Sequence, residues 1–312
     1  MLLDHPGAAK KSATVIIAGK AGRLGNRLFQ GAHFMGNALN RGYRLLNPSL
    51  GEYAPCFEGS ARDPLCGFPE AWGDQDPEFA AQCRELFFGV AHAAGIASSL
   101  VRLSGVRGID IRSSDEAEGG EVDLNGSDFG KLLDDVRYIL PMGWKFSDHA
   151  AMILHRESIS RYFTPVGSVR KPAEDTLVRA RELGHRVIGV HIRQEDYRNW
   201  KQGVYYFDTE RYVRWMRESE ECFKGEKVSF VVCSSDRLDF RLFEGLKWVP
   251  GPGFPVGDLH ALSLCDLIMG PPSTFSLWAS YHGDVPLCAL QKGAQVINGM
   301  DFLRPFGPRS LS

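Results

Sequence analysis

Histidine and arginine stand two positions apart where the apolar run RVIGVHI gives way to the polar, aromatic stretch RQEDYRNW. A buried strand ending at His191 and Arg193 delivers an imidazole and a guanidinium to one spot. A guanidinium grips the paired oxygens of a phosphate in a geometry that lysine cannot copy. Other apolar runs end in the same way. FVVC is followed directly by Ser234, Ser235 and Asp236, and LIM by GPPSTFS, Gly270 to Ser276. In GPPSTFS the prolines set the backbone, while Ser273, Thr274 and Ser276 bring hydroxyls to the first turn of a helix. Amides there lack intrahelical acceptors, so hydroxyls and amides together can cradle an anion. Taken singly, Ser273 or Thr274 reads as a helix N-cap, and Asp236 as another cap. Beside a phosphate cradle, the Asp236 carboxylate suits a base that presents two N–H donors, as guanine does.

A glycine-rich loop, GKAGRLGNRLFQ from Gly19 to Gln30, closes the first strand of the chain. Gly19, Gly22 and Gly25 have the GxxGxxG spacing of dinucleotide loops, a weak signal alone. A dinucleotide fold would want an acidic residue at the end of the next strand for the ribose hydroxyls, where this chain has Asn47 and Pro48. The loop also lacks the GK[ST] ending of a P-loop. Arg23 and Asn26 put a cation and an amide where a bound ligand would be reached. Asp74-Gln75-Asp76 has a metal-binding DxD form, but the Pro77-Glu78 that follows makes it a helix start. His149 and His155 read as surface or packed residues, and no metal-ligand spacing occurs.

The elements that position these groups follow from hydrophobic period. TVIIAG, 14–19, is a β-branched strand; Leu28, Ala32, Met35 and Leu39 recur on one helix face; YRLLN, 43–47, is the next strand. From about Ser49 to Ser147 the pattern weakens, and the acidic run Asp110 to Asp128 reads as a solvated loop. Helical period returns at Ala150 to Phe163, and TPVGSVRKP, 164–172, is the expected linker. Beyond it the spacing predicts helices at 173–184, 208–223, 237–245 and 273–283. It predicts strands at 186–192, 227–236, 246–251 and 285–290, and a helix running into a short strand over 257–270. Val- and Ile-rich strands alternating with helices imply parallel sheets covered on both faces. In such sheets ligands bind beyond the carboxyl ends of the strands.

Composition bounds the rest. The 312 residues suit two domains of about 150 residues each. With 44% hydrophobic and 24% charged residues the chain is an ordinary globular protein. A net charge of −2 gives no case for nucleic acid as a partner. The seven cysteines are odd in number and lack zinc spacing, which favours a reducing, cytoplasmic compartment, free or at the cytoplasmic face of a membrane. No secretory signal and no transmembrane run of about 20 apolar residues is expected.

GRLGNRLFQ, GVHIRQEDY and PPSTFSLWASY resemble, in order and approximate spacing, the GRLGNQ-FQ, HVRRGDY and NSTFSWWAAY motifs of the α1,2-fucosyltransferase family. That family lies within the GDP-fucose-dependent fucosyltransferase superfamily. FVVCSSD and GDLHALSLCDLIMGPPSTFS are similar to further motifs of the family. The resemblance spans Gly22 to Tyr281. It implies a GT-B fold: two α/β, Rossmann-like domains with parallel sheets facing across a cleft, here residues 1–165 on the acceptor side and 166–312 on the nucleotide-sugar side. It implies an inverting, metal-independent glycosyltransferase, without cofactor, that moves L-fucose from GDP-β-L-fucose to a hydroxyl of a glycan acceptor. Carried over by position, Arg193 would hold the diphosphate and stabilise the leaving GDP. Ser273, Thr274, Phe275 through its backbone, and Ser276 would share the phosphate. His191 and Asp236 would contact the guanosine, and Gly25, Asn26 and Arg23 would approach from the other side.

The chain departs from the family where Gln194 and Glu195 replace Arg-Gly, where Arg27 replaces a glutamine, and where Pro272 replaces an asparagine. Glu195 puts a negative charge beside the expected phosphate, to be turned away or offset by Arg27. These changes leave open a different nucleotide sugar as donor. A catalytically silent nucleotide- or glycan-binding module on the same scaffold and an NAD(P)-type oxidoreductase are further alternatives. Glu52 and Asp63 are candidate general bases only by being acidic residues after early strands.

Overall fold

A computed structural model describes residues 13–100, 104–110, 121–143, 145–194, 196–291 and 301–306. The chain divides into two compact units. One comprises residues up to Gly22 together with Gln30–Phe163, and the other comprises Arg23–Phe29 with the chain from Thr164 on. The long helix α1, Leu24–Arg41, therefore contributes its first turns to the second unit and the remainder to the first.

In the first unit β1 (Thr14–Ile16), β2 (Arg44–Leu46), β3 (Gly67–Phe68), β4 (Val106–Asp110) and β6 (Tyr138–Met142) form a sheet in the order β3-β2-β1-β6-β4. All its pairings are parallel except β2 with β3. A separate parallel pair joins β5 (Val122–Asp123) to β7 (Phe146–Ser147). The helices are α2 (Pro77–Leu100), α3 (Ser127–Asp135), α4 (His149–Leu154) and α5 (Arg156–Tyr162).

Sequence period gave no warning of α2. Its outward positions carry Phe79, Leu86, Val90, Ile96 and Leu100, all exposed, so no polar face alternates with the buried Ala80, Arg84, Ala91 and Gly95. Asp76 does cap this helix, accepting from the amides of Glu78 (3.0 Å) and Phe79 (3.3 Å), while Asp74 pairs with Arg62. Most of the acidic run, residues 111–120, lies outside the described residues.

The second unit holds α6 (Gly167–Leu183), β8 (Arg186–Ile192), α7 (Thr209–Cys222), β9 (Val228–Ser234) and β10 (Trp248–Pro250). It continues with α8 (Pro255–Ser263), β11 (Leu267–Gly270), α9 (Thr274–Gly283) and β12 (Leu287–Ala289). The sheet order is β10-β9-β8-β11-β12, every pairing parallel. Alternation along β8 sorts the core into two layers. Ile188, Val190 and Ile192 pack with Tyr212, Trp215 and Met216 of α7, and Val187 lies with Leu177, Ala261 and Ala279 on the opposite face. Each fully buried aliphatic side chain contributes about 1.5–3 kcal/mol against exposure. On that second face Gly189 is needed for closeness: a Cβ there would fall 2.7 Å from Leu262 Cδ2.

The expected linker at 164–172 is corrected: most of it is the start of α6. Pro172 removes one helical amide. The helix persists because Val169, Ala173, Thr176, Leu177 and Ala180 share a buried face, and because the carbonyl left without a partner belongs to exposed Ser168. The expected helix at 237–245 is also shortened, to one 3-10 turn, Phe240–Phe243, after the Asp239 cap. All seven cysteines are free thiols. No helix among the described residues is long and apolar enough to cross a membrane.

Candidate active site

β8 carries His191 toward α9, and Arg193 follows its last residue, so the strand register decides what each can touch. His191 is buried, its Nδ1 2.8 Å from Ser276 Oγ and its ring 4.7 Å from that of Phe275. Burial, reinforced by the nearby Arg193 charge, pushes the imidazole down to about 3, so the ring is neutral near pH 7 and serves as a dipolar partner for the helix start. Gly270 makes this contact possible: a Cβ there would fall 3.0 Å from both His191 Cβ and Ser276 Oγ.

α9 begins at a side-chain cap. Ser273 Oγ accepts from the Ser276 amide (3.3 Å), which leaves the amides of Thr274 and Phe275 as helix-start donors. The first turn of α1 lies directly against them. Thr274 Oγ1 donates to Asn26 Oδ1 at 2.7 Å, and a Cβ on Gly25 would fall 2.8 Å from the Thr274 carbonyl carbon and 2.9 Å from the Phe275 nitrogen. Two helix N-termini thus abut, held in register by Asn26 and Thr274 and kept close by a residue without a side chain. Their partial positive charges add.

Arg193 supplies the full charge. Its Nε donates to Asp196 Oδ1 at 2.9 Å and its Nη2 to Oδ2, and its Cζ stands 4.4 Å from the centre of the Tyr197 ring. Nη1 makes no hydrogen bond among the described residues, and the side chain is 24% exposed. The Arg193 hydrogen bonds, against some burial, hold the Asp196 carboxyl below its usual range. Arg23 adds a more distant cation, Nη1 at 3.9 Å from Asp196 Oδ2. Asp196 thereby aims the guanidinium and leaves one edge for a ligand. Sequence reading passed over this residue, although an aspartate three positions after an arginine at a strand exit was legible.

Asp236 Oδ2 accepts from the Gln194 amide at 2.8 Å, and the Gln194 side chain donates to Phe207 O at 3.0 Å. The carboxylate expected at the guanosine therefore fastens the loop after β8, and the partly buried Gln194 side chain is tied to Phe207. Glu195 lies outside the described residues, and Arg27 is buried. A carboxylate not singled out earlier, Asp258 in the first turn of α8, lies near the ends of β9 and β10. Its Oδ1 accepts from the Gly253 amide at 2.8 Å, and a Cβ on Gly251 would meet both that oxygen (2.7 Å) and Cys233 Sγ (2.6 Å). Burial raises its carboxyl to about 6. A buried acid near a strand end was visible in GDLHALS, but nothing in that motif told a ligand residue from a cap.

The other candidates are structural. Asp63 is buried and accepts from the amides of Leu65 (2.9 Å), Gly67 (2.7 Å) and Trp72 (2.8 Å), which corrects its candidacy as a base: its oxygens shape a loop. Glu52 stands 3.9 Å from Lys20 Nζ on the surface. His149 packs edge-on against His33, and His155 lies 2.7 Å from Asn40 Oδ1. No group of three metal-binding side chains occurs among the described residues.

No protein-family model and no curated protein matches the sequence. Solved structures do match. A mutant of Arabidopsis thaliana FUT1 in complex with GDP aligns over 93% of this chain and 73% of its own at a TM-score of 0.53 and 13% identity. NodZ α-1,6-fucosyltransferase crystallised with GDP aligns over 92% and 98% at 0.51 and 17% identity. Fucosyltransferase NodZ from Bradyrhizobium aligns over 92% and 98% at 0.50 and 15% identity. The fold is the GT-B fold of fucosyltransferases. The likeness extends over nearly the whole chain, so the ends of β8 and β11 belong to a GT-B scaffold.

Proposed function

We propose that this chain transfers L-fucose from GDP-β-L-fucose to a hydroxyl of a glycan acceptor. The observation that carries this reading is that the abutting starts of α1 and α9 lie beyond the carboxyl ends of a parallel sheet whose strand β8 brings His191 within 2.8 Å of Ser276 on α9 and leads directly into Arg193. Such a place suits a diphosphate. In the reaction the acceptor oxygen attacks C1 of the fucose while the bond from C1 to the β-phosphate oxygen breaks. The electron pair leaves with GDP, and the hydroxyl proton passes to solvent or a base. Charge grows on the leaving phosphate, which the free Nη1 of Arg193 and the amides of Thr274 and Phe275 are placed to stabilise. Attack opposite the leaving group inverts C1, and no metal is needed when a guanidinium and helix termini carry that charge. The neutral His191 holds Ser276, Asp236 and Asp196 fix the loop that aims Arg193, and the Asp258 carboxylate offers an acceptor for the N–H groups of guanine.

Arg193→Ala tests the reading through release of GDP from GDP-fucose. Turnover is expected to fall by about 100- to 1000-fold, with the far-ultraviolet circular dichroism spectrum unchanged. Near-normal turnover rejects the assignment, and UDP- or NAD-selective binding by the wild type favours the alternatives.

A further inference from the structure

The loop after Arg193 carries an ordered set of aromatic rings. Tyr197, beneath the Arg193 guanidinium, stacks on Trp200 with centroids 5.2 Å apart and planes 16° from parallel. Trp200 in turn meets Tyr205 at 5.5 Å and 31°. Tyr197 is buried, Tyr205 is partly buried, and Trp200 is 44% exposed. At the rim Arg198 Nη2 donates to Tyr206 Oη at 2.9 Å, and its Cζ lies 4.8 Å from that ring. The turn that returns Tyr205 to Trp200 is tight: Gln202 and Gly203 adopt φ of 57° and 71°, and a Cβ on Gly203 would fall 3.0 Å from Arg198 O. A non-glycine residue such as Gln202 is strained in that conformation. A single exposed tryptophan is unremarkable. Here Tyr205 also meets Tyr197 at 6.2 Å and 47°, so the exposed indole is backed by a closed cluster of rings that includes the one under the Arg193 guanidinium, a rigid apolar surface open to a ligand.

We propose that Tyr197, Trp200 and Tyr205 form the platform for a pyranose ring of a neutral acceptor glycan, an inference that rests on the fucosyl-transfer reading above. A pyranose has one face of C–H groups and a rim of hydroxyls. The dry face packs on rigid aromatic rings at low entropic cost. The rim reaches donors such as the Arg198 fork and the Tyr206 hydroxyl. One ring of the cluster, Tyr197, lies under the residue that would hold the leaving diphosphate, so one loop would aim the leaving group and seat the acceptor. A guanine base is the rival occupant of a flat indole, and the test separates the two.

The wild type, Trp200→Ala, Trp200→Phe and Tyr205→Ala are each titrated with GDP and applied to an array of neutral oligosaccharides. The wild type is expected to bind at least one neutral glycan. Trp200→Ala should weaken that binding by tenfold or more, Tyr205→Ala by less, and Trp200→Phe should retain most of it. GDP affinity should change by less than threefold in all three variants. Glycan binding indifferent to Trp200, absence of any neutral glycan bound by the wild type, or a tenfold loss of GDP affinity in Trp200→Ala each overturns the platform. Failure of the wild type to bind GDP is a separate outcome and strikes the fucosyl-transfer reading itself.

Discussion

Two arginines, one in each unit, show how differently a protein can use the same side chain. Arg84 on α2 is sealed, 1% exposed, with Nε 3.1 Å from Cys66 Sγ and Nη2 donating to the carbonyls of Ser60 and Asp63, both at 2.8 Å. Arg193 is held by one carboxylate and one aromatic face, its side chain 24% exposed and its Nη1 without a hydrogen bond among the described residues. A cation wrapped in backbone carbonyls organises a loop and is closed to ligands. A cation held along one edge is aimed, and its other edge remains for chemistry. The neighbouring aspartates divide in parallel. Asp63 spends its oxygens on three amides, whereas Asp196 spends them on Arg193.

This contrast can be broken by mutation. Arg84→Ala removes two hydrogen bonds to backbone carbonyls and leaves a cavity where a sealed side chain stood, and should destabilise the first unit by about 3 kcal/mol, read by denaturant unfolding, whereas Arg193→Ala should cost less than about 1 kcal/mol of stability while removing turnover. If Arg193→Ala unfolds the protein as readily as Arg84→Ala, the division between structural and functional arginines fails. Gly25→Ala should drive the starts of α1 and α9 apart, costing about 1–3 kcal/mol and weakening GDP binding by calorimetry, with no effect expected from Gly42→Ala beyond its backbone strain.

Smaller effects sharpen the picture through pH. Asp258 ionises near about 6, so if its carboxylate reads guanine, GDP affinity should fall about tenfold between pH 7 and pH 5, and Asp258→Asn should flatten that dependence. A flat wild-type profile removes Asp258 from the base pocket. His191 acts on stability instead, and acid lowers that too. Its folded-state value, about 3, lies below the ordinary 6.5, so the unfolded chain takes up its proton first. Its contribution is intact above pH 6.5 and lost as pH falls toward 3. Burial makes His33 and His260 behave alike, each pushed down to about 4. Acid unfolding should therefore begin below pH 6.5, and His191→Gln should reduce its steepness.

Sequence reading reached the second unit with little loss because its elements are amphipathic or fully buried in the ways that period detects. β8, α7, β9 and α9 each start or stop at a strong signal, such as the Asp208 cap that accepts from Arg211 at 2.8 Å. The positions of His191 and Arg193 at a strand exit, and of Thr274 and Asn26 at helix starts, were legible because such ends advertise themselves. Three things were hidden. α2 has apolar residues on both faces, so its period cancels. α6 begins inside a segment rich in Pro, Gly and cations, where tertiary burial of Val169 and Ala173 outweighs local propensity. The jobs of Asp196, Asp236 and Asp258 depend on which donor lies opposite, and an aspartate looks the same in sequence whether it caps, aims or binds.

A structure determined with GDP bound tests the central claim most directly. The account predicts the β-phosphate within hydrogen-bond distance of Arg193 Nη1 and of the Thr274 and Phe275 amides. GDP seated elsewhere, with Arg193 contacting only Asp196 and Tyr197, would contradict it.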